Sequence, residues 1–338
     1  MFAIQHQYIE RDSGRVCTER LFADRAVKFL YSNARENAPA LFNALTSAWG
    51  SGLLGYFHYK TILSTKVSGK QDILQSIGIN RDECVDNLNS LDTFEKVFER
   101  KIRYWKCRPM TENPCAIVSP ADSRAIIGSF CETSSLFLKG KFFDYEELFG
   151  CNKREWLSAF QKGTFAVFRL TPEKYHYNHA PVAGKVVDFY EIDGDYHACN
   201  PGAVVTMVTP YSKNKRVVTV IDTDVPGGSR AGIVAMLEIV ALMIGKITQC
   251  YSEIKYEFPQ PVSTGMFLKK GLPKSLYLPG SSTTVLIFQK GRVRFAEDLI
   301  RNMFRQGVES RFSKGFGMPL VETDIRVRSC IGNAISNL

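Results

Sequence analysis

The chain has 338 residues, 45% of them hydrophobic, and carries a formal net charge of +9. This composition is that of a soluble globular protein of one large domain or two, and the charge suits an anionic partner, either nucleic acid or an acidic membrane surface. Nine cysteines without a C-x-x-C pair argue against a disulfide framework or a zinc site. With no signal peptide at the start, we expect reduced thiols and a cytoplasmic protein.

The N-terminal part of the chain is predicted to be mainly helical. From Asp24 to about Arg108, apolar residues recur three and four positions apart, as on one face of a helix. The stretch from Asn37 to Tyr59 contains no charged residue and is long enough to span a membrane. Pro39 and several glycines within it disfavour a membrane-spanning helix. We instead expect short helices there that lie against the core or at a membrane surface.

The remainder of the chain is predicted to be rich in strands. From Cys115 to Lys290 the sequence is dominated by Val, Ile, Thr, Phe and Tyr, with Gly and Pro at short intervals. SPADSRAIIGSF (119–130) and APVAGKVVDFYEIDGD (180–195) resemble each other, which suggests a pseudo-repeated barrel or sandwich. A helical pattern, FAEDLIRNMFRQ, follows Arg292. We predict an α+β fold with a helical N-terminal region, 1–108, and a β-rich catalytic domain, 109–338.

The stretch from Lys269 to Phe288, KKGLPKSLYLPGSSTTVLIF, holds the first candidate for chemistry. A Pro-Gly turn is followed by two serines, Ser281 and Ser282, and then by a run that predicts a strand from Thr283. A serine on such a turn is expected to expose its hydroxyl, and it is a candidate nucleophile if the fold supplies a base. The alternative is an ordinary hairpin turn.

Two histidines in YHYNHAP, His176 and His179, are candidates for that base. A metal site would need further ligands, so we predict no metal and assign one histidine as a base and the other as a proton donor. Asp122, in SPADS, stands where a turn before a strand can present a carboxylate that fixes the tautomer of a histidine. Asp122, His179 and Ser282 would together supply the three parts of a triad.

Several blocks of the sequence are recognisable in order. SPADSR, FRLTPEKYHYNHAPVAGKV, KNKRVVTVIDTD, IVALMIGKI and KKG…PGSST followed by VLIF resemble the blocks of the phosphatidylserine decarboxylase family. The upstream FEKVFERKIRYWKCRP and the closing GVESRFSKG are also similar to segments of that family. The resemblance covers about residues 1 to 318.

The resemblance implies a self-processing enzyme with a covalent pyruvoyl group made from its own chain and lipoyl-like pseudo-repeats in its β core. Autocatalytic cleavage near 281/282 would give a large β chain and a small α chain. Asp122 and His179 would activate the serine for cleavage, and His176 would donate a proton during decarboxylation. The pyruvoyl carbonyl would form a Schiff base with the substrate amine, which allows carbon dioxide to leave.

The resemblance leaves two candidates for the serine that is cleaved and becomes the pyruvoyl group. Ser282 fits the G-G-S-T form of the family's turn when positions are counted from Gly271 or from the strand VLIF. Ser281 is the residue preceded by a glycine, as the family's cleavage site normally is. We prefer Ser282, because the register of the strand fixes where a side chain points.

The function implied is the conversion of phosphatidylserine to phosphatidylethanolamine by a peripheral enzyme at an anionic phospholipid membrane surface. Its partners would be that surface and its own two chains, and no nucleic acid is expected. A homodimer is a further alternative. Lys174 and Tyr177, beside His176, depart from the family pattern, so decarboxylation of a soluble amino acid is the first alternative. A serine hydrolase that does not cleave itself and a lipid-binding protein without catalysis are the others.

Overall fold

A computed structural model of the chain shows a mixed α+β protein in which strands dominate. It describes residues 5–21, 24, 29–31, 35–47, 79–87, 90–135, 138, 142–207, 209–242, 246–279 and 282–335. The described strands are β1 (Gln7–Glu10), β2 (Val16–Thr18), β3 (Ala116–Val118), β4 (Ser123–Ser129), β5 (Thr164–Leu170), β6 (Tyr177–His179), β7 (Gly184–Ile192), β8 (Arg216–Asp222), β9 (Ile233–Val240), β10 (Ile247–Gln249), β11 (Phe267–Leu268), β12 (Pro273–Tyr277), β13 (Ser282–Phe288), β14 (Val293–Phe295), β15 (Glu322–Ile325) and β16 (Cys330–Ala334).

The helices in the described part of the chain are short. They are α1 (Arg35–Asn37), α2 (Pro39–Thr46), α3 (Phe94–Phe98), α4 (Tyr104–Cys107), α5 (Tyr145–Phe149), α6 (Arg154–Ala159), α7 (Pro201–Thr206), α8 (Pro210–Lys213), α9 (Glu297–Met303) and α10 (Arg311–Phe316). None of them combines the length and the apolar character needed to cross a bilayer.

One large sheet forms the body of the protein. Within the described residues its strands run in the order β11-β7-β8-β9-β13-β5-β4-β15-β1-β2, and every neighbouring pair is antiparallel except β1 with β15. β13 lies between β9 and β5, and all seven of its residues are buried. A run of β-branched and apolar residues suits a strand that is covered on both faces.

A second sheet, β10-β12-β6, lies against one face of the large sheet at β9 and β13. Because alternate residues of a strand share a face, Ser282 and Thr284 point to the same side, together with Glu238, which pairs with Thr284. Side chains of the second sheet contact Glu238 and Thr284 there. The start of β13 therefore lies where the two sheets meet, on the side that faces Asn178 of β6.

The predicted α+β class is confirmed, but the barrel alternative is wrong for the described strands. Their order ends at β11 on one side and at β2 on the other, so the sheet stays open. The packing of β10-β12-β6 on the large sheet is compatible with the sandwich alternative. Segments 119–130 and 180–195 contain β4 and β7, but four strands separate these in the sheet, and a lipoyl-like repeat is not confirmed.

The helical N-terminal region is not confirmed either. The described residues between 24 and 108 form the short helices α1 to α4 and a 3₁₀ turn at Arg81–Glu83, and residues 24 and 29–31 are also helical. Most of the uncharged stretch, residues 48–59, lies outside the described residues. At the other end of the chain, α9 forms within the segment after Arg292 for which a helix is predicted.

Candidate active site

Ser282 is the first residue of β13, in the interior of the large sheet. It pairs with Leu170 on β5 and with Val240 on β9. The residue is 1% exposed, and its Oγ has no hydrogen-bond partner among the described residues. Leaving a buried polar group unpaired costs roughly 1–3 kcal/mol of stability. Such groups are rare in folded proteins, and a catalytic role is one explanation for their presence.

The exposed hydroxyl predicted for the serine turn is wrong for Ser282. The antiparallel ladder extends one residue further than the predicted strand and takes Ser282 into the sheet, where neighbouring strands cover it. Ser281 and Gly280 lie outside the described residues.

His176 lies just before β6 and is completely buried. Its ring stacks on Phe98 of α3, with centroids 3.4 Å apart. In the described part of the chain neither ring nitrogen has a hydrogen-bond partner. Burial, assisted by the positive charge of Arg100, lowers the pKa of His176 well below its usual value. The ring is therefore neutral at pH 7, with one nitrogen protonated and the other carrying a lone pair.

His179, the last residue of β6, has a defined tautomer. Its Nδ1 lies 2.9 Å from the carbonyl oxygen of Gly271, and a carbonyl only accepts, so Nδ1 carries the proton. Nε2 then holds the lone pair and accepts from the hydroxyl of Tyr175 at 3.0 Å. Burial lowers the pKa of His179 to about 3. The side chain is a neutral imidazole with one basic nitrogen.

Gly271, which orients His179, occupies a position that suits only glycine. Its φ is +76°, and an added Cβ would lie 2.4 Å from the Sδ atom of Met110. Side chains rarely adopt such a φ, and the Met110 side chain would have to move to admit one. The glycine thus brings its backbone close enough to the histidine for the carbonyl to act as an acceptor.

Asp122 is bound by an arginine. Its carboxylate accepts from Nε of Arg108 at 2.9 Å and from Nη2 at 2.7 Å, and also from the backbone N–H of Val327 at 2.7 Å. Burial of Asp122 opposes its ionised form, but the Arg108 guanidinium outweighs burial and holds the pKa of Asp122 below its usual value. Arg108 also binds Glu83 at 2.9 Å.

The structure brings Asp122 and His179 together without the hydrogen bond that the triad predicted. Within the described residues, the side-chain bonds of Asp122 go to Arg108 and Val327, and those of His179 go to Gly271 and Tyr175. The physical reason is that Arg108 offers a charged two-nitrogen partner, which a carboxylate prefers to a neutral imidazole. Asp122 still influences His179, because its charge favours protonation of the ring.

The backbone and a small apolar cluster connect the three candidate segments. The N–H of His179 donates to the carbonyl of Pro120 at 2.7 Å, which ties β6 to the turn that contains Asp122. The N–H of Tyr277 donates to the carbonyl of His176 at 3.1 Å, which ties β12 to the other histidine. A buried apolar cluster contains Phe98, which stacks on His176, Leu170, which pairs with Ser282, Tyr277 and Ala121.

The sequence gives no prediction for several residues that support these groups. No sequence motif for a catalytic group contains Arg108, Phe98 or Gly271, although Gly271 follows two lysines in the stretch from Lys269 to Phe288. A buried ion pair, Lys274 with Glu238, lies behind the site at 2.7 Å. The sequence contains a signal for such a pair, because each of two strand-like runs, AMLEIV and PKSLY, contains one charged residue, and buried charged residues are usually paired.

One group of potential metal ligands occurs among the described residues, and it includes neither candidate histidine. His6, Glu19 and Glu322 lie close together. Arg169 donates to both carboxylates, at 2.5 Å in its closest contact with each. The cluster is therefore accounted for as a buried ion-pair network with His6 at its edge.

The geometry defines a class of enzyme. A buried serine without a partner, a neutral histidine with a fixed tautomer and a second neutral histidine are suited to activating a hydroxyl and then moving a proton. Nothing in this set requires a metal ion.

Comparison with known proteins agrees with this class. The family model described as phosphatidylserine decarboxylase matches residues 94–313. The phosphatidylserine decarboxylase proenzyme of Fusobacterium nucleatum is 30% identical over 310 residues, which cover 91% of this chain and 95% of the relative. That of Chlamydia trachomatis is 27% identical over 317 residues, 93% of this chain and 97% of the relative. Proenzyme 2 of Oryza sativa is 34% identical over 231 residues, 67% of this chain and 34% of the relative.

The chain belongs to the phosphatidylserine decarboxylase family. The family consists of carboxy-lyases that depend on a pyruvoyl group formed from their own chain, so the predicted family, enzyme class and cofactor are confirmed. The name of these relatives, proenzyme, implies cleavage into two chains.

Proposed function

We propose that this chain cleaves itself between Ser281 and Ser282, and that the pyruvoyl group formed from Ser282 decarboxylates phosphatidylserine to phosphatidylethanolamine. The single observation that carries the proposal is the buried Oγ of Ser282, which lacks a partner in the described part of the chain. A hydroxyl in that state is available to attack the carbonyl carbon of the preceding residue, so that the C–N bond between residues 281 and 282 breaks and an ester to Ser282 Oγ forms. Loss of the α-proton then expels residue 281 as a carboxylate, and water releases the nitrogen of residue 282 as ammonia, which leaves the pyruvoyl group. The position also fits the group, since it starts a strand that two neighbours hold on either side.

His179 is proposed as the base for cleavage. With Nδ1–H bound to the Gly271 carbonyl, Nε2 is the nitrogen that can take a proton once its bond from Tyr175 opens, first from the serine hydroxyl and then from the α-carbon of the ester. The charge of Asp122 favours the imidazolium that results. The charges of Arg328 and Arg108 oppose it, so the base returns readily to its neutral form.

His176 is proposed as the proton donor of the decarboxylation. The pyruvoyl group supplies a carbonyl that can withdraw electrons from the substrate once the substrate amine has bound to it. The carbon that loses carbon dioxide must then gain a proton. A neutral imidazole carries one on a ring nitrogen, and the stacked Phe98 fixes the plane in which that nitrogen lies.

A peripheral location at an anionic phospholipid surface is part of the proposal. The formal charge of +9 would attract the chain to such a surface. Two large apolar side chains of the N-terminal part, Phe29 and Leu41, are 61% and 53% exposed, and exposed apolar residues can insert between lipid head groups. The partners would be this surface and the chain's own two fragments, with a homodimer as a further alternative.

The experiment that tests the substrate compares phosphatidylserine vesicles with free serine, with carbon dioxide release as the readout. We expect release from the vesicles and none from serine. Lys174 does not present a free charge beside His176, because it is ion-paired with Asp324. Release from serine alone would contradict the lipid assignment and favour the soluble amino-acid alternative. An intact chain with no release from either would contradict the decarboxylase.

A further inference from the structure

A buried polar network links β6, which ends with His179, to β13, which begins with Ser282. At one end, Lys274 and Glu238 form an ion pair in which both residues are completely buried. The amide of Asn178, between the two histidines in the chain, donates to Glu238 at 3.2 Å. The hydroxyl of Thr284 donates to the Asn178 carbonyl at 2.8 Å, and the Tyr277 hydroxyl lies 3.0 Å from Thr284 Oγ1.

The ion pair fixes the orientation of the Asn178 amide. A carboxylate only accepts, so Asn178 must present its NH₂ group to Glu238 and its oxygen to Thr284. The Thr284 proton is then donated to Asn178, so Thr284 has no second proton to give to Tyr277. The one proton of the Tyr277 hydroxyl goes to the backbone carbonyl of Thr283 at 2.9 Å, because a carbonyl only accepts.

The network crosses the proposed cut. Asn178, Glu238, Lys274 and Tyr277 precede position 281 and would belong to the large fragment. Residues 283 and 284 would be the second and third residues of the small fragment.

We infer that the buried polar network positions the new end of the small fragment, so that the group formed from residue 282 stays beside the histidines after the chain is cut. This rests on the proposed function. Cleavage removes the covalent tether on one side of residue 282, and strand ends are where ladders open most easily. A displacement of 1 Å in a reacting group can lower a rate about 100-fold. Bonds to the Thr283 carbonyl and the Thr284 side chain oppose such a displacement.

The test uses Thr284→Val, which keeps the shape of the side chain and removes the hydroxyl. Thr284→Ser restores the hydroxyl. Thr219→Val is the matched control, because Thr219 is also a completely buried strand threonine, but its hydroxyl has no partner among the described residues. Each full-length variant is expressed, its fragments are weighed by intact mass, and kcat and KM are measured on phosphatidylserine vesicles.

We expect all three variants to mature. Thr284→Val should lower kcat at least about 10-fold with KM within about twofold, since the reacting group is displaced and not the lipid-binding surface. Thr284→Ser and Thr219→Val should stay within about twofold of wild type. The inference is overturned if Thr284→Val keeps the wild-type kcat or if Thr284→Ser is as slow as Thr284→Val. It is also overturned if Thr284→Val fails to mature while Thr219→Val matures. An uncleaved wild-type chain would instead overturn the proposed function.

Discussion

Arg108 binds the carboxylate of Asp122 through two nitrogens, Nε at 2.9 Å and Nη2 at 2.7 Å, and both side chains are 7% exposed. This pair lies at the base of the turn whose backbone holds His179. The charge that assists the proposed base is therefore kept in place by a residue outside the triad.

Replacement of Arg108 should destabilise the protein. Arg108→Gln leaves the buried Asp122 without a cation, and breaking a buried pair in this way typically costs about 3–5 kcal/mol. The free energy of unfolding is measured by urea titration in a Ser282→Ala background, which keeps the chain in one piece under the proposed function. Arg108→Lys keeps the charge and should lose less. A loss below about 1 kcal/mol in Arg108→Gln would show that the pair is not what holds the turn.

Gly271→Ala should slow maturation. The φ of Gly271 is +76°, which a side chain rarely adopts, and the new Cβ would lie 2.4 Å from Met110 Sδ, so we expect the Gly271 carbonyl to shift away from Nδ1 of His179. We expect the cleavage rate to fall at least about 10-fold, the size of effect typical for a misplaced base. Gly291→Ala is the matched control, since its φ is +73° but nothing lies within 4 Å of the added Cβ. Equal maturation of the two variants would contradict the orienting role of Gly271.

His176→Gln should separate the two activities. Glutamine is similar in length and neutral, so it can fill the space beside Phe98, but it is not a proton donor of comparable acidity. We expect complete cleavage and a loss of carbon dioxide release of at least about 100-fold, within the range for removal of a general acid. Failure of His176→Gln to cleave would contradict the division of roles between the two histidines.

The free energy of unfolding should decrease on acidification. In the folded chain burial lowers the pKa of His176 and brings that of His179 to about 3, whereas unfolded histidines titrate near about 6.5. Below that pH the unfolded chain binds protons that the folded chain does not, so stability is lost as pH falls. Each histidine contributes a slope of up to about 1.4 kcal/mol per pH unit, and Asp122, with its lowered pKa, adds a loss below about pH 4.

Urea unfolding of the Ser282→Ala chain between pH 7.5 and pH 5 measures this dependence. His179→Gln in the same background should have a shallower slope. An identical slope in the two chains would show that His179 is not buried in its neutral form.

The sequence predicts the ingredients of the site better than their arrangement. The serine turn, the two histidines and Asp122 can be found because each belongs to a short local pattern, and the α+β class follows from the run of strand-like segments. The partner of Asp122 cannot be found in this way, because Arg108 contacts Asp122 only in the folded chain and no local pattern connects the two residues. The same holds for Glu238 and Lys274, which are distant in the chain and become partners only when β12 packs on β9.

The extent of the sheet is the other feature that local patterns miss. Strand propensity begins at Thr283, but pairing with two neighbours at once draws Ser282 into the ladder and buries its hydroxyl. Tertiary pairing thus decides the exposure of the residue on which the chemistry depends.

The most direct test of the account is the intact mass of the freshly purified wild-type protein, compared with Ser282→Ala and Ser281→Ala. We predict two wild-type fragments, residues 1–281 and a smaller one that begins with a pyruvoyl group in place of residue 282. Ser282→Ala should stay whole, and Ser281→Ala should still be cleaved. A single wild-type chain of 38.1 kDa, or cleavage of Ser282→Ala, would contradict the account.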